Sequence, residues 1–341
     1  MGLNKESGIT IGCGTPGRLN LITDVPGVKV GHVTVRDGAD VNTGVTAILP
    51  HGGNLFQDKV MAASCVINGF GKTMGLVQVE ELGTIETPII MTNTLSIGTA
   101  ANALIKYMLR QNEDIGVTTG TVNPLVCECN DGQLNDIRGM HVTEEHVFQA
   151  LANCGTRFEE GAVGSGTGMS CLGLKGGIGS ASRVVTLDGT PYTVGALVMS
   201  NFGLAGRLTV DGRHVGQEIQ QKLEAQQDQG SIIMLIATDI PLSERQLKRV
   251  ARRAGVGLAR TGSFYGNGSG DIAIAFTTAN RVPHYSTGAL IDTKMVADRM
   301  IDPVFDAAAE AVEEAIISSL YHAETTTGRA GKVKYGLREF L

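Results

Sequence analysis

The chain has 341 residues, of which 42% are hydrophobic and 18% are charged, and its formal net charge is −6. This composition is typical of a globular protein with ample apolar surface for a core. Because the charge balance is acidic, we do not expect a nucleic-acid partner.

Other features of the composition narrow the class further. No run of 18 or more apolar residues occurs, so we expect no membrane span. Residues 1–20 lack the continuous apolar core of a signal peptide, and the six cysteines of the chain then indicate reduced thiols. We therefore expect a cytoplasmic protein. No linker-like stretch or charge run divides the chain, which predicts one domain over residues 1–341.

Strands and helices are predicted to alternate along the chain. In order they are strands at 27–35, 45–50 and 87–94, helices at 97–112 and 143–155, a hairpin at 184–194, a strand at 196–201, a hairpin at 208–215, a strand at 231–239, a helix from Ser243 towards Gly255, a strand at 271–278 and a helix that Asp302 caps. Asp-Gly turns mark both hairpins. Because hairpins occur and strands outnumber simple βαβ units, the pattern favours mixed sheets covered by helices, an α+β class.

The segment 141–146, HVTEEH, places two histidines beside two glutamates. An inverted zinc-hydrolase motif needs His-x-x-Glu-His, and here one residue too many separates Glu144 from His146. Thr143 also predicts a helix cap, so a capped helix with an acidic first turn is the favoured interpretation. The Cys-x-Cys pair at 127–129 has no second pair or suitably spaced histidine. We expect neither a metal nor another cofactor.

The most glycine-dense stretch is 161–179. It contains neither G-x-G-x-x-G nor the Gly-Lys-Ser/Thr ending of a phosphate loop, so it fits a backbone wall lining a site as well as a nucleotide cradle. Cys171 within it is a possible thiolate nucleophile, but no neighbouring pattern nominates a histidine. A small buried hydrophobic residue is the favoured interpretation of Cys171.

The stretch 262–276, GSFYGNGSGDIAIAF, is a turn that opens directly into an alternating strand, with Ser269 at the junction. Asn267 and Gly268 both tolerate positive φ, which would allow the peptide before Ser269 to be held strained. The Ser269 hydroxyl could then attack the preceding carbonyl and give an ester that water cleaves. The new α-amino group, with a pKa of about 7.7–8.0, would act as base for the same residue's hydroxyl. An ordinary glycine-rich turn is the alternative that the residues alone leave open.

Long blocks spread over nearly the whole chain carry a resemblance to a known family. They are ITDVPGVKVGHVTV (22–35), MTNTLSIGTA (91–100), CNDGQLNDIRGMHVTEEHV (129–147), EEGAVGSGTGMSCLGLKGGIGSASR (159–183), residues 230–276 and AVEEAI (311–316). The sequence resembles the self-processing L-aminopeptidase/D-amidase-esterases, the DmpA-type family that includes β-peptidyl aminopeptidases.

The resemblance implies a fold, a processing event and an activity. The fold is a four-layer αββα sandwich similar to that of N-terminal-nucleophile hydrolases. The chain would be cut between Gly268 and Ser269 into fragments 1–268 and 269–341, and would assemble as a homo-oligomer, commonly a tetramer of αβ units. The substrates would be small peptides, amides or esters with a free N-terminal amine, hydrolysed without a metal.

The resemblance also implies a supporting glutamate. Glu313 matches a glutamate of the C-terminal helix that supports the nucleophile through hydrogen bonds. On a helical wheel it falls beside the apolar stripe while Glu314 points away, and an inward carboxylate is costly unless paired, so we expect it to have a partner. A solvated helix glutamate is the alternative. Ala311 stands where some β-peptidyl members have a serine, which puts β-peptide preference in doubt.

Two further residues follow from the resemblance. Glu160 matches an acidic residue that holds the substrate ammonium in some members, with Glu159 as the adjacent alternative, since an obligatory free amine requires an anionic partner. Asn201 ends a predicted buried strand and is the expected oxyanion donor. Leu172 stands where some members have an aromatic residue, so that contact is missing.

The function predicted from the sequence is that of a self-processing serine aminopeptidase. Three alternatives remain. The first is an amidase for non-peptide ω-amino-acid oligomers, and the second is acyl transfer to an amino acid as in self-processing ornithine acetyltransferases, which would use threonine where this chain has Ser269. The third is a non-enzymatic binding protein that retains the scaffold.

Overall fold

The structure is a computed structural model that describes residues 3, 7–223, 230–286 and 288–341. Its strands are β1 Lys29–Asp37, β2 Val41–Leu49, β3 Asp58–Gly69, β4 Thr84–Ile85, β5 Ile89–Asn93, β6 Leu125–Cys129, β7 Ser170–Cys171, β8 Leu174–Lys175, β9 Gly177–Leu187, β10 Thr190–Asn201, β11 Thr209–Val210, β12 Arg213–His214, β13 Gly230–Thr238, β14 Ser269–Pro283, β15 Thr326–Thr327 and β16 Val333–Lys334. Its α-helices are α1 Leu76–Leu82, α2 Ile97–Leu109, α3 Glu144–Ala152, α4 Gly216–Gln220, α5 Glu244–Arg260 and α6 Asp302–His322.

Two sheets form the centre of the molecule. The main sheet has six strands in the order β4-β3-β14-β13-β10-β9, and the second sheet has four in the order β1-β2-β5-β6. Within them β13 pairs with β14 and β5 with β6 in parallel, and the other pairs are antiparallel. This mixture of pairings is the mixed-sheet class that the sequence predicts.

Three apolar clusters fill the spaces between the layers. One lies between the main sheet and helices α5 and α6, one between the two sheets, and one between the second sheet and helices α2 and α3. The predicted four-layer αββα sandwich is thereby confirmed. The central strand β13 is buried on both faces, which is why its sequence, SIIMLIAT, reads as a continuous apolar run.

Local sequence signals explain several element boundaries. In both predicted hairpins the turn residues have positive φ, with 48° and 78° at Asp188 and Gly189 and 49° and 71° at Asp211 and Gly212. Two successive left-handed residues match the twist of the flanking strands. The capping box of α5 is also present, since Gln246 N donates to Ser243 Oγ at 3.3 Å.

Helix α5 does not end near Gly255, as the sequence predicts, but continues to Arg260. A Cβ atom on Gly257 would collide with the backbone carbonyl of Ala309 in α6. The glycines of α5 therefore permit close contact with α6 and do not stop the helix.

The prediction that Glu314 points away from the core is wrong. Arg183 of β9 donates to Glu310 Oε2 at 2.8 Å and to Glu314 Oε2 at 2.6 Å, and all three side chains are buried. Asn20 also donates to Glu314. Because the main sheet and the N-terminal segment both cover α6, this helix has no wide solvent-exposed face on which Glu314 could lie.

Candidate active site

Ser269 is the first residue of β14 and is 4% exposed. It lies opposite Gly230 of the parallel neighbour β13. Its side chain shares a strand face with Ala273 and Ala275, which pack in the cluster beneath α5 and α6. On this face Ser269 Oγ donates a 2.7 Å hydrogen bond to Oδ1 of Asp271, a carboxylate that is fully buried.

The turn before Ser269 is held by hydrogen bonds from two sides. The backbone nitrogen of Ser269 donates to Gly266 O at 2.9 Å. From β3, Asn68 Nδ2 donates to Gly266 O at 3.1 Å and to Asn267 O at 3.3 Å, and it also donates to Ser269 O. One amide group therefore fixes carbonyls on both sides of Gly268.

Asn267 and Gly268 tolerate positive φ, but the structure does not use it at either residue. The left-handed residues of this segment are Gly262, with φ 107°, and Tyr265, with φ 57°. The Tyr265 hydroxyl donates to Gly255 O, which ties this turn to α5.

A buried carboxylate that sequence reasoning missed lies close to Gly270. A Cβ atom on Gly71 would be 3.6 Å from both Glu128 Oε1 and Gly270 Cα. Glu128 is buried, and it accepts hydrogen bonds from Lys72 N at 2.9 Å and from the Thr94 hydroxyl. A charged residue inside the buried strand sequence LVCEC is the signal that could have identified it, since lone buried charges are rare.

Asn201 ends β10 on the opposite face of the main sheet from Ser269. It lies opposite Ser231 of β13, which lies opposite Gly270 of β14, so about 10 Å of sheet separates Asn201 from β14. Its amide oxygen accepts from Ser170 N at 2.9 Å and its Nδ2 donates to Asn130 O at 3.0 Å. The side chain therefore joins two loops, and the structure does not bring it into contact with Ser269.

Glu313 lies at the α5–α6 contact, at the end of α5 from which the chain leads to Ser269. Its Oε2 accepts from Arg260 Nη1 at 3.2 Å, so the predicted pairing is confirmed. Burial raises the pKa of Glu313, and the Arg260 guanidinium partly offsets that rise. The Glu313 carboxylate thus contacts Arg260, and the structure does not bring it to Ser269.

Glu160 lies beside the edge strand β9, where Ser180 N donates to its Oε1 at 2.8 Å. Strands β10 and β13 separate β9 from β14, so within one chain Glu160 and Ser269 are at least about 14 Å apart. Burial raises the pKa of Glu160. The adjacent Glu159 lines the same cavity of about 530 Å³ at this edge. The structure thus does not bring either glutamate to Ser269.

The other residues considered in the sequence analysis have structural roles. Cys171 is buried, and burial raises the pKa of its thiol to about 12, which confirms its interpretation as a small buried residue. Thr143 caps α3, as predicted, with His146 Nδ1 accepting from its backbone nitrogen at 3.1 Å. Among the described residues, no three His, Cys, Asp or Glu side chains are grouped to hold a metal ion, and no helix is long and apolar enough to cross a membrane.

Solved structures of similar fold define the class of protein. The chain superposes with TM-score 0.95 on the PH0078 protein of Pyrococcus horikoshii OT3, at 58% identity over 99% of this chain and 96% of that one. It superposes with TM-score 0.90 on the L-aminopeptidase D-Ala-esterase/amidase of Ochrobactrum anthropi, a prototype serine aminopeptidase with a variant of the Ntn hydrolase fold, at 39% identity over 98% of this chain and 94% of that one. The sandwich is therefore of the Ntn-hydrolase type.

The sequence comparisons then give the family. The chain is 40% identical over 342 residues to the β-peptidyl aminopeptidase BapA of Sphingosinicella microcystinivorans, which covers 93% of this chain and 85% of the relative. Residues 20–334 match Peptidase family S58. The chain belongs to that family and is a hydrolase of the aminopeptidase type, so the resemblance seen in the sequence is confirmed.

Proposed function

We propose that this aminopeptidase is self-processing: it cuts its own Gly268–Ser269 bond, and Ser269 then acts as an N-terminal nucleophile. The observation that carries the proposal is the position of Ser269 as the first residue of a central strand, with its hydroxyl bound to a buried carboxylate at 2.7 Å. The one domain of residues 1–341 would then consist of two fragments, 1–268 and 269–341.

In turnover the two functional groups of Ser269 would act together. Oγ attacks the carbonyl carbon of the first substrate residue, and the α-amine of Ser269 takes the hydroxyl proton. That proton passes to the departing amine as the scissile bond breaks and leaves an acyl-enzyme. Water, deprotonated by the same α-amine, then releases the N-terminal amino acid. An α-amine with a pKa of about 7.7–8.0 is well suited to both transfers near neutral pH.

Self-cleavage would also open the site. In the uncut chain the Ser269 nitrogen is an amide within a turn, and the side chain is almost completely covered. Cutting the bond removes the covalent constraint on residues 266–268, so the turn can move aside. One event would therefore supply the base and admit the substrate.

Asn201 and Glu313 remain proposed supporting residues. A side-chain amide has two N–H donors, and the contact of Asn201 with Asn130 O uses one of them. As a chain terminus, Ser269 gains rotational freedom, and a turn towards the inter-sheet face would bring its Oγ nearer the second donor. We propose that Glu313, held by Arg260, supports this end of the site from the helix layer.

Two carboxylates compete as the partner of the substrate ammonium. Glu160 is favoured by the family resemblance. Glu128 is favoured by its proximity to Gly270, since Glu128 Oε1 and Gly270 Cα each lie 3.6 Å from a Cβ position on Gly71. A substrate whose carbonyl is attacked by Ser269 has its ammonium a few ångströms from that carbonyl. Proximity therefore makes Glu128 the stronger candidate within one chain.

The substrate class is proposed as small peptides, amides or esters with a free N-terminal amine. Similarity to β-peptidyl aminopeptidases supports activity on β-amino-acid termini, whereas Ala311 lacks the serine hydroxyl of some such members. Amino-acid p-nitroanilides in α and β form, compared with linear aminohexanoate oligomers, separate these possibilities. Hydrolysis of the oligomers alone would favour the amidase alternative.

We also propose that the enzyme is a cytoplasmic homo-oligomer, a tetramer of αβ units. Support comes from exposed apolar side chains around α1, among them Phe70, Val77 and Leu82, since an apolar surface patch marks contact sites. Light scattering of the purified protein measures the assembly, and a monomer would contradict this part of the proposal.

Denaturing gel electrophoresis tests self-processing directly. Wild-type protein should give fragments of 268 and 73 residues (341 − 268 = 73), and Ser269→Ala should stay at full length and lack activity. A wild-type protein that hydrolyses substrates while remaining intact would contradict the proposal.

A further inference from the structure

Ser269 needs a proton acceptor before it has an amine. In the uncut chain its nitrogen is an amide that donates to Gly266 O, and an amide nitrogen has no basic lone pair. The α-amine that serves turnover forms only when the Gly268–Ser269 bond breaks. The first cut, which rests on the function proposed above, therefore needs a base from elsewhere in the chain.

Asp271 is the group that contacts the Ser269 hydroxyl. The Oγ–Oδ1 distance of 2.7 Å is that of a hydroxyl donating to a carboxylate. Residues i and i+2 of a strand share one face, so β14 itself holds the two groups together without help from a loop. Asp271 is fully buried and Ser269 nearly so, and bulk water is kept from this hydrogen bond.

Three other titratable groups placed near this end of β14 contact other partners. Among them, the Glu128 carboxylate accepts from Lys72 N and from the Thr94 hydroxyl. The Tyr265 phenol donates to a carbonyl of α5, and burial, followed by the negative charge of Asp271, raises the pKa of Tyr265. The Glu313 carboxylate pairs with Arg260. Within the described part of the chain, the contacts of the seven histidines include neither Ser269 nor Asp271.

We propose that Asp271 is the general base of self-cleavage. Its carboxylate takes the Ser269 hydroxyl proton while Oγ bonds to the carbonyl carbon of Gly268. As the C–N bond breaks, Asp271 returns that proton to the nitrogen, which leaves an ester between the two residues and a neutral α-amine.

Hydrolysis of the ester completes the cut. Water adds to the ester carbon and gives its proton to the α-amine, which passes a proton to Oγ as the C–Oγ bond breaks. The Gly268 carboxylic acid then ionises, and its proton goes to the amine. The balance is one peptide bond and one water converted to a carboxylate at Gly268 and an ammonium at Ser269. From that point the amine, and no longer Asp271, is the base next to Oγ.

The test follows the intact chain with time after synthesis, by gel and intact mass, in wild type and Asp271→Asn. The asparagine can still accept the Ser269 hydrogen bond, but it cannot take the proton, so self-cleavage should slow by about 10²–10⁴-fold. Asp239→Asn is the matched control. Asp239 is a partly buried carboxylate that accepts from Thr193 N at 2.7 Å, away from Ser269, and its variant should cleave at the wild-type rate.

A second pair of variants separates base chemistry from structure. A cysteine thiol, with a pKa of about 8.5, forms its nucleophilic thiolate far more readily than serine. Ser269→Cys combined with Asp271→Asn should therefore cleave within about tenfold of Ser269→Cys alone. A merely structural Asp271 would slow both nucleophiles equally, which would overturn the proposal.

If the Asp271→Asn variant does not fold, a chemical rescue experiment tests the same proposal. Asp271→Ala leaves room for formate, and added formate should restore cleavage where chloride of equal ionic strength does not. Failure of formate in a folded alanine variant, or an Asp271→Asn rate within threefold of wild type, would overturn the inference about Asp271 alone. If the wild-type chain itself never cuts, the proposed self-processing fails instead.

Discussion

Two serine–carboxylate pairs lie beside different strands of the main sheet, one at β14 and one at the edge strand β9. In the strand pair, Ser269 Oγ donates to Asp271 at 2.7 Å. In the helix pair, Ser318 Oγ donates to Glu160 at 2.6 Å, with His322 Nδ1 a further 3.1 Å from the same hydroxyl. By residue type the helix pair looks more like a catalytic triad, and Glu160 and His322 line a cavity of about 530 Å³.

The helix pair nevertheless lacks the geometry of a nucleophile. Ser318 lies within α6, so the peptide bond before it belongs to a helix and not to a turn. His322 Nδ1 also lies 3.0 Å from the Ser318 carbonyl, which favours an N–H at Nδ1 and removes the lone pair that a general base needs. On the proposed function, position in the chain matters more than residue type, because of these two serines Ser269 is the one that follows a turn, and cleavage of that turn would create its base.

The largest expected difference in activity is between variants that replace the two serines. Ser269→Ala should abolish both self-cleavage and hydrolysis, because it removes the attacking oxygen. Ser318→Ala should leave both within a few-fold of wild type. Gel electrophoresis and a p-nitroanilide assay measure the two variants side by side. Loss of activity in Ser318→Ala with retained thermal stability would move the active site to the helix pair.

Asn201→Asp tests the oxyanion assignment near the strand pair. The aspartate keeps an oxygen for Ser170 N but loses the amide N–H donors and adds a negative charge. If Asn201 donates to the oxyanion, kcat should fall by about 10²–10³-fold. The aspartate also loses the bond to Asn130 O and places a buried carboxylate oxygen against that carbonyl, so thermal stability should fall as well. An unchanged kcat of the folded variant would show that the residue only joins loops.

Glu128→Gln and Glu160→Gln compare a carboxylate near the strand pair with the carboxylate of the helix pair as partners of the substrate ammonium. A charged hydrogen bond to the substrate ammonium contributes about 1.5–3 kcal/mol, or roughly 10–100-fold in KM. We expect that increase for Glu128→Gln on substrates with a free amine and not on N-acetylated ones. The reverse result, with KM raised only in Glu160→Gln, would place the ammonium site at β9, reached from a neighbouring copy of the chain.

The smallest expected effect is a pH dependence near the helix pair. His32 bridges the Thr46 hydroxyl and the Glu159 carbonyl, and burial lowers its pKa to about 4. The unfolded chain, with a histidine pKa near 6.5, binds the proton first as pH falls. Stability from this group is therefore complete above pH 6.5 and is lost towards pH 4. Denaturant unfolding of His32→Gln should show a weaker decline over that range than wild type.

Local sequence signals account for much of the fold and for part of the site. The apolar run of β13, the two Asp-Gly hairpins and the capping box at Ser243 all predict elements that the structure contains. The strand β3, with the small residues of DKVMAASCVING, was missed because its burial depends on α5 above it. The end of α5 was misplaced because Gly257 serves contact with α6.

A local pattern identified the proposed nucleophile, whereas the residues around it depend on the tertiary structure. The turn and strand at 262–276 identified Ser269. Its partner Asp271 is two residues along the same strand, but the burial of that carboxylate follows from the layers above and below it. The proximity of Glu128 depends on Gly71, a residue of a loop that no motif marks. Glu160 is far from Ser269 because two strands lie between β9 and β14. The family resemblance does not give that strand order.

One measurement tests the central claim most directly: the appearance of a new amino terminus at Ser269, quantified by mass spectrometry in step with activity. We predict that hydrolysis rises in proportion to the amount of chain beginning SGDIAIAF and is absent while all chains are intact. Activity that precedes this terminus, or that persists without it, would contradict the account.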